Sequence, residues 1–373
     1  MSDLQDTVQE LLDELVGSGT ERGIQVAAYV DGQPVVDAVA GVADPATGRP
    51  VEPGTVFYNF SIGKGAMASL VHQQVDAGVI GYDTPVAEVW PEFAAHGKRA
   101  VTVRHVLTHS AGVPGVPVES TIDDIGSWET MVRALEQAEL WWEPGTQDGY
   151  HAYTFGYLAG EIVRRVTGRP LADVLREDLA APLGHPDEIL FGMPEEQARG
   201  LAVLEDAPSE GSWNPSEMPA DLPMFRAGPM SLFPTAALGN DPRVIAADIP
   251  AGGKVSARAI AKMYAGLLGE VDGVRLVSPE RLAELSRLGA SGTDQVFGNQ
   301  SAWALGYALG MPLQEEGDTS GSRVIGMAGA GGSWAGADLD RGLALAITKN
   351  MVSDDFETVR RVARHVLDGT HDE

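Results

Sequence analysis

The sequence predicts an α+β fold in which one antiparallel sheet is built from both ends of the chain and carries a large helical insert. Strand-like segments occur near the N-terminus and return in the last third of the chain. Segments with helical periodicity fill the middle. If the strands from both ends share one sheet, the helices form an insert between its two halves. The predicted division is a sheet domain of residues 1–60 and 300–373 and a mainly helical domain of residues 61–299.

The first segments predict a helix followed by a β-hairpin. Residues 1–18 place leucine and valine at helical spacing with acidic residues between them. Asp31-Gly32 separates two apolar runs, at 25–30 and 34–40, and this dipeptide is typical of a two-residue hairpin turn. The sheet is therefore expected to begin with a hairpin.

The middle of the chain predicts a series of helices. Their expected bounds are 62–78, 101–109, 127–140, 154–167, 171–179 and 256–268. The segment 205–253 is rich in proline and glycine and predicts a long irregular stretch, which in a compact domain is usually functional or mobile. The last third predicts strands and a closing helix, at 306–310, 323–327, 343–350 and 355–367.

Charge and cysteine content exclude several classes of function. The chain has 373 residues with 26 Lys+Arg and 53 Asp+Glu, a formal net charge of −27. A field of that sign repels phosphate backbones and anionic lipid, so we expect neither a nucleic-acid nor a membrane partner. The chain contains no cysteine, which excludes disulfides, thiolate metal sites and cysteine nucleophiles.

The N-terminal segment carries no secretory signature. It lacks the basic start and the apolar core that a signal peptide needs, and the chain has no apolar run of 18 residues. We therefore expect a cytoplasmic protein.

The sharpest local signal is a serine three residues before a lysine at the start of a predicted helix. Ser61 and Lys64 fall on one face of that helix, and Lys64 is the only charged residue between Gly54 and Val71. A serine hydroxyl becomes a nucleophile when a base removes its proton, and a lysine is a base only when its amine is neutral. Burial and the positive end of the helix dipole both lower the pKa of such an amine. The backbone N–H of Ser61 points out of the helix start and is suited to bind an oxyanion.

At this motif the sequence resembles the serine β-lactamases and penicillin-binding proteins, and most of all the class C β-lactamase-like family VIII carboxylesterases. The resemblance extends from about residue 20 to about residue 365, and several motifs occur in the family's order. These motifs are Ser61-Ile62-Gly63-Lys64, Asp83-Thr84-Pro85-Val86, Trp90-Pro91-Glu92-Phe93, residues 103–112, Trp142-Glu143-Pro144-Gly145 leading into Tyr150, Pro182-Leu183-Gly184 and residues 329–333. The resemblance implies a β-lactamase/transpeptidase-like fold with the active site between the two predicted domains.

The resemblance also implies a role for each matched residue. Ser61 would be the nucleophile, Lys64 its base, and Tyr150 a second acid or base that passes the proton to the leaving group. The backbone N–H groups of Ser61 and Ala330 would form the oxyanion hole.

Two motifs depart from the pattern of penicillin-recognising enzymes. Tyr150-His151-Ala152 lacks the asparagine of a Tyr-x-Asn motif, and Met327-Ala328-Gly329 stands where those enzymes have Lys-Thr-Gly. The sequence thus lacks a polar contact for an amide and a cation for the β-lactam carboxylate. Both departures argue against efficient penicillin hydrolysis and favour an uncharged ester or a bulky acyl group.

Several further residues are candidates for substrate contact. The predicted substrate-binding residues are Trp142, His151, Met327, Gly329 and Trp334. Other aromatic residues that would line an apolar acyl pocket are Trp141, Trp213 and Phe225. Tyr153 and Tyr157 are rivals of Tyr150, and helical spacing favours a core position for Tyr157.

Three other patterns resemble functional motifs but each lacks a feature that its motif requires. Ser333 lies in a near match to a nucleophile elbow, but a strand rather than a helix is expected after it. His105 and His109 have the spacing of metal ligands without the glutamate of the zinc-protease motif, so a structural pair is favoured. The glycines from 326 to 332 match a dinucleotide fingerprint without the βαβ unit that it requires. The sequence therefore predicts no metal and no organic cofactor.

The sequence predicts a serine hydrolase of the carboxylesterase type that forms an acyl-enzyme on Ser61 and acts on a small-molecule ester or acyl substrate. One alternative is a transacylase that moves the acyl group to an amine or alcohol in a biosynthetic pathway. Another is a non-catalytic binding protein that retains the penicillin-recognising fold, which the altered third motif motivates.

Overall fold

Both ends of the chain contribute strands to one antiparallel sheet, as the sequence predicted. The computed structural model describes residues 3–208, 218–219, 221–310, 312 and 318–370. Within those residues the main sheet has nine strands in the order β3-β2-β1-β13-β12-β11-β10-β9-β8. The central pairing joins the two ends of the chain, since β1 lies antiparallel to β13 with Ile24 opposite Lys349 and Val30 opposite Leu343.

The strands are numbered here in chain order. Their bounds are Gly23–Val30 (β1), Gln33–Asp44 (β2), Arg49–Pro50 (β3), Phe57–Tyr58 (β4), Ile189–Leu190 (β5), Glu205–Asp206 (β6), Lys254–Val255 (β7), Ala290–Thr293 (β8), Gln300–Trp303 (β9), Ala308–Leu309 (β10), Val324–Gly329 (β11), Ser333–Asp338 (β12), Leu343–Lys349 (β13) and Met351–Val352 (β14). Strands β4, β7 and β5 form a small second sheet, and β14 pairs in parallel with β6.

The α-helices are also numbered in chain order. Their bounds are Asp3–Gly17 (α1), Gly63–Asp76 (α2), Val86–Val89 (α3), Val103–Leu107 (α4), Ile122–Gly126 (α5), Trp128–Gln137 (α6), Thr154–Thr167 (α7), Leu171–Val174 (α8), Glu195–Ala198 (α9), Pro223–Ala227 (α10), Ala236–Gly239 (α11), Pro242–Ala246 (α12), Ala257–Leu268 (α13), Pro279–Leu285 (α14) and Glu357–Gly369 (α15).

The two faces of the main sheet pack against different helices. On one face, α1 and α15 cover a core that includes Ile347 and Trp334. On the other face, α13 packs across the central strands and α2 packs beside it, in a larger core that includes Ala335 and Ala346. The alternation follows from the two-residue period of a strand, which sends neighbouring side chains to opposite faces. This larger core positions α2 and the site described below.

Most predicted elements are confirmed, with small shifts at their ends. The predicted helix 154–167 has the same bounds in the structure, and the Asp31-Gly32 turn joins β1 to β2 as expected. The segment 205–253 is more ordered than predicted, because it contains the strand β6 and the short helices α10, α11 and α12. Residues 209–217 and 220 of this segment lie outside the described residues.

Strands β8 and β9 were not predicted, and no bounds were given for β12. Strand β8 begins at Ala290 and belongs to the main sheet, so the sheet includes residues before position 300. Its four residues, Ala-Ser-Gly-Thr, alternate in burial but include no large apolar side chain that would indicate a strand. The division into two domains stays a prediction. Among the described residues, no helix is both long and apolar enough to cross a lipid bilayer.

Candidate active site

Ser61 lies in a tight turn that connects the small second sheet to α2. Strand β4 ends at Tyr58, and a 3-10 turn over Phe60–Ile62 leads directly into α2. The side-chain Nδ2 of Asn59 donates to the carbonyls of Phe57 and Val255 at 3.0 and 3.1 Å, which fixes the start of the turn. Phe60 has φ +46°, a left-handed conformation that a bulky residue rarely adopts. The turn leaves Ser61 half-buried, so the residue is partly accessible from solvent.

Lys64 is one helical turn beyond Ser61 and is fully buried. Its Nζ lies 2.9 Å from Ser61 Oγ, within hydrogen-bond distance. Burial lowers the pKa of Lys64 to about 7, because an ammonium ion is poorly solvated in the core. A large fraction of the amine is therefore neutral near pH 7, and the neutral amine can accept the proton of the Ser61 hydroxyl. The structure thus brings together the serine and the lysine that the sequence singled out.

Tyr150 completes the cluster from a different part of the chain. Its hydroxyl hydrogen-bonds to Ser61, and Lys64 Nζ lies 4.9 Å from the centre of its ring. Burial raises the pKa of Tyr150 well above its usual range, so the phenol keeps its proton in the resting protein. A protonated phenol beside the nucleophile can donate a proton to a group that leaves.

The rival tyrosines have other partners. The Tyr153 hydroxyl donates to the carbonyl of Leu232 at 2.5 Å, and Tyr157 is buried in the core with its hydroxyl on the carbonyl of Ile125. Tyr157 is therefore a core residue, as the helical spacing predicted.

The turn between β11 and β12 lies next to the nucleophile turn. Gly329, the last residue of β11, approaches the Asn59 carbonyl so closely that a Cβ would overlap it. Ala330 follows and is half-buried, and Gly331 and Gly332 have φ of +95° and +86°. Only glycine adopts such angles without strain, so this sequence favours the tight turn seen here. The oxyanion role of the Ala330 N–H stays a prediction.

A buried ion pair is linked to the turn between β11 and β12 by hydrogen bonds. Lys349 Nζ lies 2.7 Å from Glu21 Oε1 and donates to Ser353 Oγ at 3.0 Å. The Ser353 N–H in turn donates to the Gly331 carbonyl at 3.3 Å, and Thr358 Oγ1 donates to the same Glu21 oxygen at 2.7 Å. This network was not predicted, because Glu21 and Gly331 are far along the chain from each other and from residues 349–358.

Three of the predicted substrate-binding residues lie against α2, the nucleophile turn or the tyrosine loop. Met327 is buried with its side chain near Gly65 of α2, and Gly329 packs on the nucleophile turn. Trp142 is mostly buried beside the tyrosine loop and lines a cavity of about 510 Å³. The cavity is also lined by Trp141, Arg226 and Gln295. The guanidinium of Arg226 lies 4.5 Å from the Trp141 ring.

The predictions for Trp334 and His151 are wrong. Trp334 is 1% exposed and belongs to the core under α1 and α15, because its position in β12 turns it to the other face of the sheet. His151 is fully buried, and both of its ring nitrogens are bonded to backbone groups. Its Nδ1 donates to the Gly149 carbonyl and its Nε2 accepts the Val113 N–H. Neither side chain is open to a substrate. Trp213 lies outside the described residues.

Sequence reasoning gave His109 a structural pairing and missed its place beside the tyrosine. The His109 ring lies 4.9 Å from the Tyr150 ring and 4.2 Å from the Trp303 ring, between centres. Burial holds the pKa of His109 well below its usual range, so the imidazole stays neutral.

Ser333 is not placed to act as a nucleophile. It is buried in β12, and its Oγ accepts the Lys349 N–H at 3.2 Å.

The sheet, its two helical layers and the Ser61–Lys64 pair at the start of α2 together define the β-lactamase/transpeptidase-like fold. The chain belongs to the Beta-lactamase family, whose model matches residues 8–368.

Similar proteins include an esterase and a penicillin-binding protein homologue. The Esterase/beta-lactamase LipL of Mycobacterium tuberculosis is 34% identical over 345 residues, which are 88% of this chain and 77% of LipL. A solved family VIII carboxylesterase has a TM-score of 0.87 at 29% identity and covers 99% of this chain and 98% of its own. A penicillin-binding protein homologue from Caulobacter crescentus has a TM-score of 0.83 at 31% identity, covering 98% and 96% of the two chains.

Proposed function

We propose that this serine hydrolase is a carboxylesterase that forms an acyl-enzyme on Ser61. The observation that carries the proposal is the buried Lys64 amine, 2.9 Å from Ser61 Oγ, with a pKa lowered to about 7. A neutral amine at that distance can remove the serine proton as the oxygen attacks.

The proposed acylation follows from the positions of the three side chains. Ser61 Oγ bonds to the ester carbonyl carbon while its proton passes to Lys64 Nζ. The carbonyl oxygen becomes an oxyanion that accepts the N–H groups of Ser61 and Ala330. When the C–O bond to the alcohol breaks, Tyr150 gives its proton to the departing oxygen and regains one from Lys64. The products of this half-reaction are the acyl-enzyme and the free alcohol.

The second half-reaction releases the acid by the same route in reverse. A water molecule gives a proton to the Tyr150–Lys64 pair and attacks the acyl carbon. The proton then returns to Ser61 Oγ as the acyl bond breaks, so that the resting protein is restored. Apart from the ester and the water, every proton donor and acceptor in the two half-reactions belongs to Ser61, Lys64 or Tyr150.

The third motif favours an ester over a β-lactam. Met327 stands at the position of a lysine in the penicillin-recognising motif, and it is buried near Gly65. A methionine offers no cation to a β-lactam carboxylate, and Ala152 offers no amide. The carboxylesterase among the solved structures supports the same choice. LipL is named both an esterase and a β-lactamase, so its name does not distinguish the two substrates. We therefore propose an uncharged small-molecule ester as the substrate class.

The proposal is tested by the mass of the intact protein after incubation with p-nitrophenyl butyrate. We expect a mass increase equal to one butyryl group, trapped by rapid acid quench, and turnover that Ser61→Ala abolishes. Ser333→Ala is the matched control and should acylate like the natural chain, because Ser333 is buried in β12. Acylation that persists in Ser61→Ala would contradict the assignment of the nucleophile, and absence of any acylation would favour a binding protein.

A companion measurement separates hydrolysis from acyl transfer. The same ester is turned over with and without an added primary amine, and the acid and amide products are quantified. We expect acid as the main product, since the half-buried Ser61 remains open to water. Amide in excess of acid would favour the transacylase alternative.

A further inference from the structure

Tyr150 is held by a loop that has no helix or strand of its own. The loop follows Trp142 and ends where α7 begins at Thr154. Three consecutive amides of this loop are bound by distant groups. The N–H of Gly149 donates to the His109 carbonyl at 3.1 Å, that of Tyr150 to Asp294 Oδ2 at 2.9 Å, and that of His151 to His109 Nδ1 at 3.1 Å. The direction of the Tyr150 side chain therefore depends on partners outside the loop.

Asp294 is the acidic member of this set and lies in the hairpin between β8 and β9. Its side chain is buried, and its two carboxylate oxygens accept hydrogen bonds from different parts of the chain. Oδ1 accepts the N–H groups of Val296 and Phe297 at 2.7 and 2.8 Å, which closes a local turn. Oδ2 accepts the Tyr150 N–H and so links the hairpin to the tyrosine loop.

Such a link is stronger than an ordinary loop contact. A hydrogen bond from a backbone amide to a carboxylate is charge-assisted and about twice as strong as a neutral one. Asp294 is 144 residues from Tyr150 in the chain, so the bond closes a long loop and fixes the backbone at the residue that carries the phenol. The Phe297 ring, within the turn that Asp294 closes, lies 6.0 Å from the Tyr150 ring.

We propose that Asp294 is a positioning residue that aims the Tyr150 hydroxyl at the leaving-group oxygen through its bond to the Tyr150 amide. The inference rests on the proposed function, in which Tyr150 donates a proton to the departing alcohol. The side chain of Asp294 accepts the N–H groups of Tyr150, Val296 and Phe297. Its effect on the reaction therefore passes through Tyr150, whose backbone it holds and whose phenol its charge helps to keep protonated by raising the pKa.

The proposed role of Asp294 predicts that the effect of its loss depends on the leaving group of the ester. An alkoxide is a poor leaving group and needs a proton as the bond breaks, whereas p-nitrophenolate leaves without one. A Tyr150 hydroxyl that no longer points at the leaving-group oxygen should therefore slow acylation by an ethyl ester more than acylation by a p-nitrophenyl ester of the same acid. A general loss of structure would slow both esters alike.

Asp294→Asn is the variant that tests the link. Its single carboxamide oxygen can keep the bonds to Val296 and Phe297, while its NH₂ group faces the Tyr150 N–H and cannot accept it. We expect kcat/KM for ethyl butyrate to fall by about 10- to 100-fold, since a misplacement of about 1 Å costs that much. The fall for p-nitrophenyl butyrate should be several times smaller. The ratio kcat/KM reports acylation, the step in which the alcohol leaves.

Asp338→Asn is the matched control. Asp338 is a buried carboxylate whose Oδ1 accepts the N–H groups two and three residues further on, as Asp294 Oδ1 does. It is the last residue of β12, at the end remote from Ser333, and its Oδ2 accepts from Arg341 Nη1 at 2.6 Å. The control should leave the ratio of the two esters unchanged.

A double-mutant cycle tests whether Asp294 acts through Tyr150. It adds Tyr150→Phe and the double variant Tyr150→Phe/Asp294→Asn to the single variant Asp294→Asn. If Asp294 acts through Tyr150, the double variant loses no more activity on ethyl butyrate than Tyr150→Phe alone. Equal losses on both esters in Asp294→Asn, or additive losses in the double variant, would overturn the inference while Tyr150 keeps its role. A Tyr150→Phe variant that shows no preference between the esters would instead overturn the proposed role of Tyr150, and the inference with it.

Discussion

The two halves of the candidate site are held in place by different means. Ser61 and Lys64 belong to one turn and one helix, and α2 is buried over most of its length among apolar side chains. Tyr150 belongs to a loop whose amides are bound by His109 and Asp294, residues 42 and 144 positions away from their partners. The first half depends on local backbone geometry and apolar packing, and the second on long-range hydrogen bonds. We therefore expect substitutions in the two halves to fail in different ways.

The largest effect is expected on the helical half. Lys64→Met removes the amine but keeps a similar apolar volume in a buried site, so the fold should be retained. General-base catalysis contributes about 10²- to 10⁴-fold, and we expect turnover of p-nitrophenyl butyrate to fall by about 1,000-fold.

Lys254→Met is the control for Lys64→Met. Lys254 is also fully buried, and burial also lowers its pKa to about 7, but its Nζ donates to the Phe191 carbonyl. The control should keep the natural kcat on p-nitrophenyl butyrate. If both lysine variants lose activity equally, buried lysines support the structure alone and Lys64 has no special role as a base.

A smaller effect is expected on the loop half. Tyr150→Phe removes the hydroxyl that hydrogen-bonds to Ser61 and that, in the proposed deacylation, helps to take the proton of the attacking water. We therefore expect kcat to fall by about 100-fold on p-nitrophenyl butyrate through slower deacylation, although p-nitrophenolate leaves without a proton. Circular dichroism should show an intact fold, because the phenyl ring keeps its contacts with His109 and Trp303. Tyr153→Phe is the comparison, and a large loss there with none at Tyr150 would mean that the tyrosine loop has been misassigned.

The same contrast explains what the sequence could predict at the site. Ser61 and Lys64 were predicted because their spacing, the helix and the absence of other charge are all local properties. Tyr150 was predicted by the resemblance, since spacing alone did not distinguish it from Tyr153. Asp294 was not predicted at all, because an aspartate in a loop gives no sign of an amide partner 144 residues away.

The fold shows the same limit at β12. The hairpin of β1 and β2 and the helix α7 carry strong local patterns, and both were predicted. Strand β12 contains Trp334 among small residues, Ser-Trp-Ala-Gly-Ala-Asp, so its pattern did not indicate which face is buried. Trp334 was predicted to bind substrate, although it lies in the core under α1 and α15.

The helical half should also set the pH dependence of the reaction. The pKa of Lys64 is lowered to about 7 by burial, and only the neutral amine can accept the serine proton. We expect kcat/KM to fall about 10-fold per unit below pH 7 and to level off above it. Tyr150 should add no falling limb near neutrality, because burial raises the pKa of its phenol. The pKa of His109 is lowered well below its usual range, so its titration should not contribute between pH 6 and 8. A profile that stays flat from pH 5.5 to 8 would contradict the role of Lys64.

The smallest effect is expected on stability and concerns the packing of α2. A Cβ at Gly65, the residue after Lys64, would overlap the Tyr264 hydroxyl, which sits at the end of a rigid and fully buried ring. Overpacking a core in this way costs about 1–3 kcal/mol.

Gly17→Ala is the control, because Gly17 is also helical and a Cβ there meets no atom within 4 Å. The gain in helix propensity from glycine to alanine is shared by the two variants to a first approximation. The difference between their free energies of unfolding in urea therefore measures the packing at Gly65, and we expect Gly65→Ala to be less stable by about 1–3 kcal/mol. Equal stabilities would mean that α2 and Tyr264 can move apart at little cost. Apolar packing would then not hold Ser61 and Lys64 in place as we have argued.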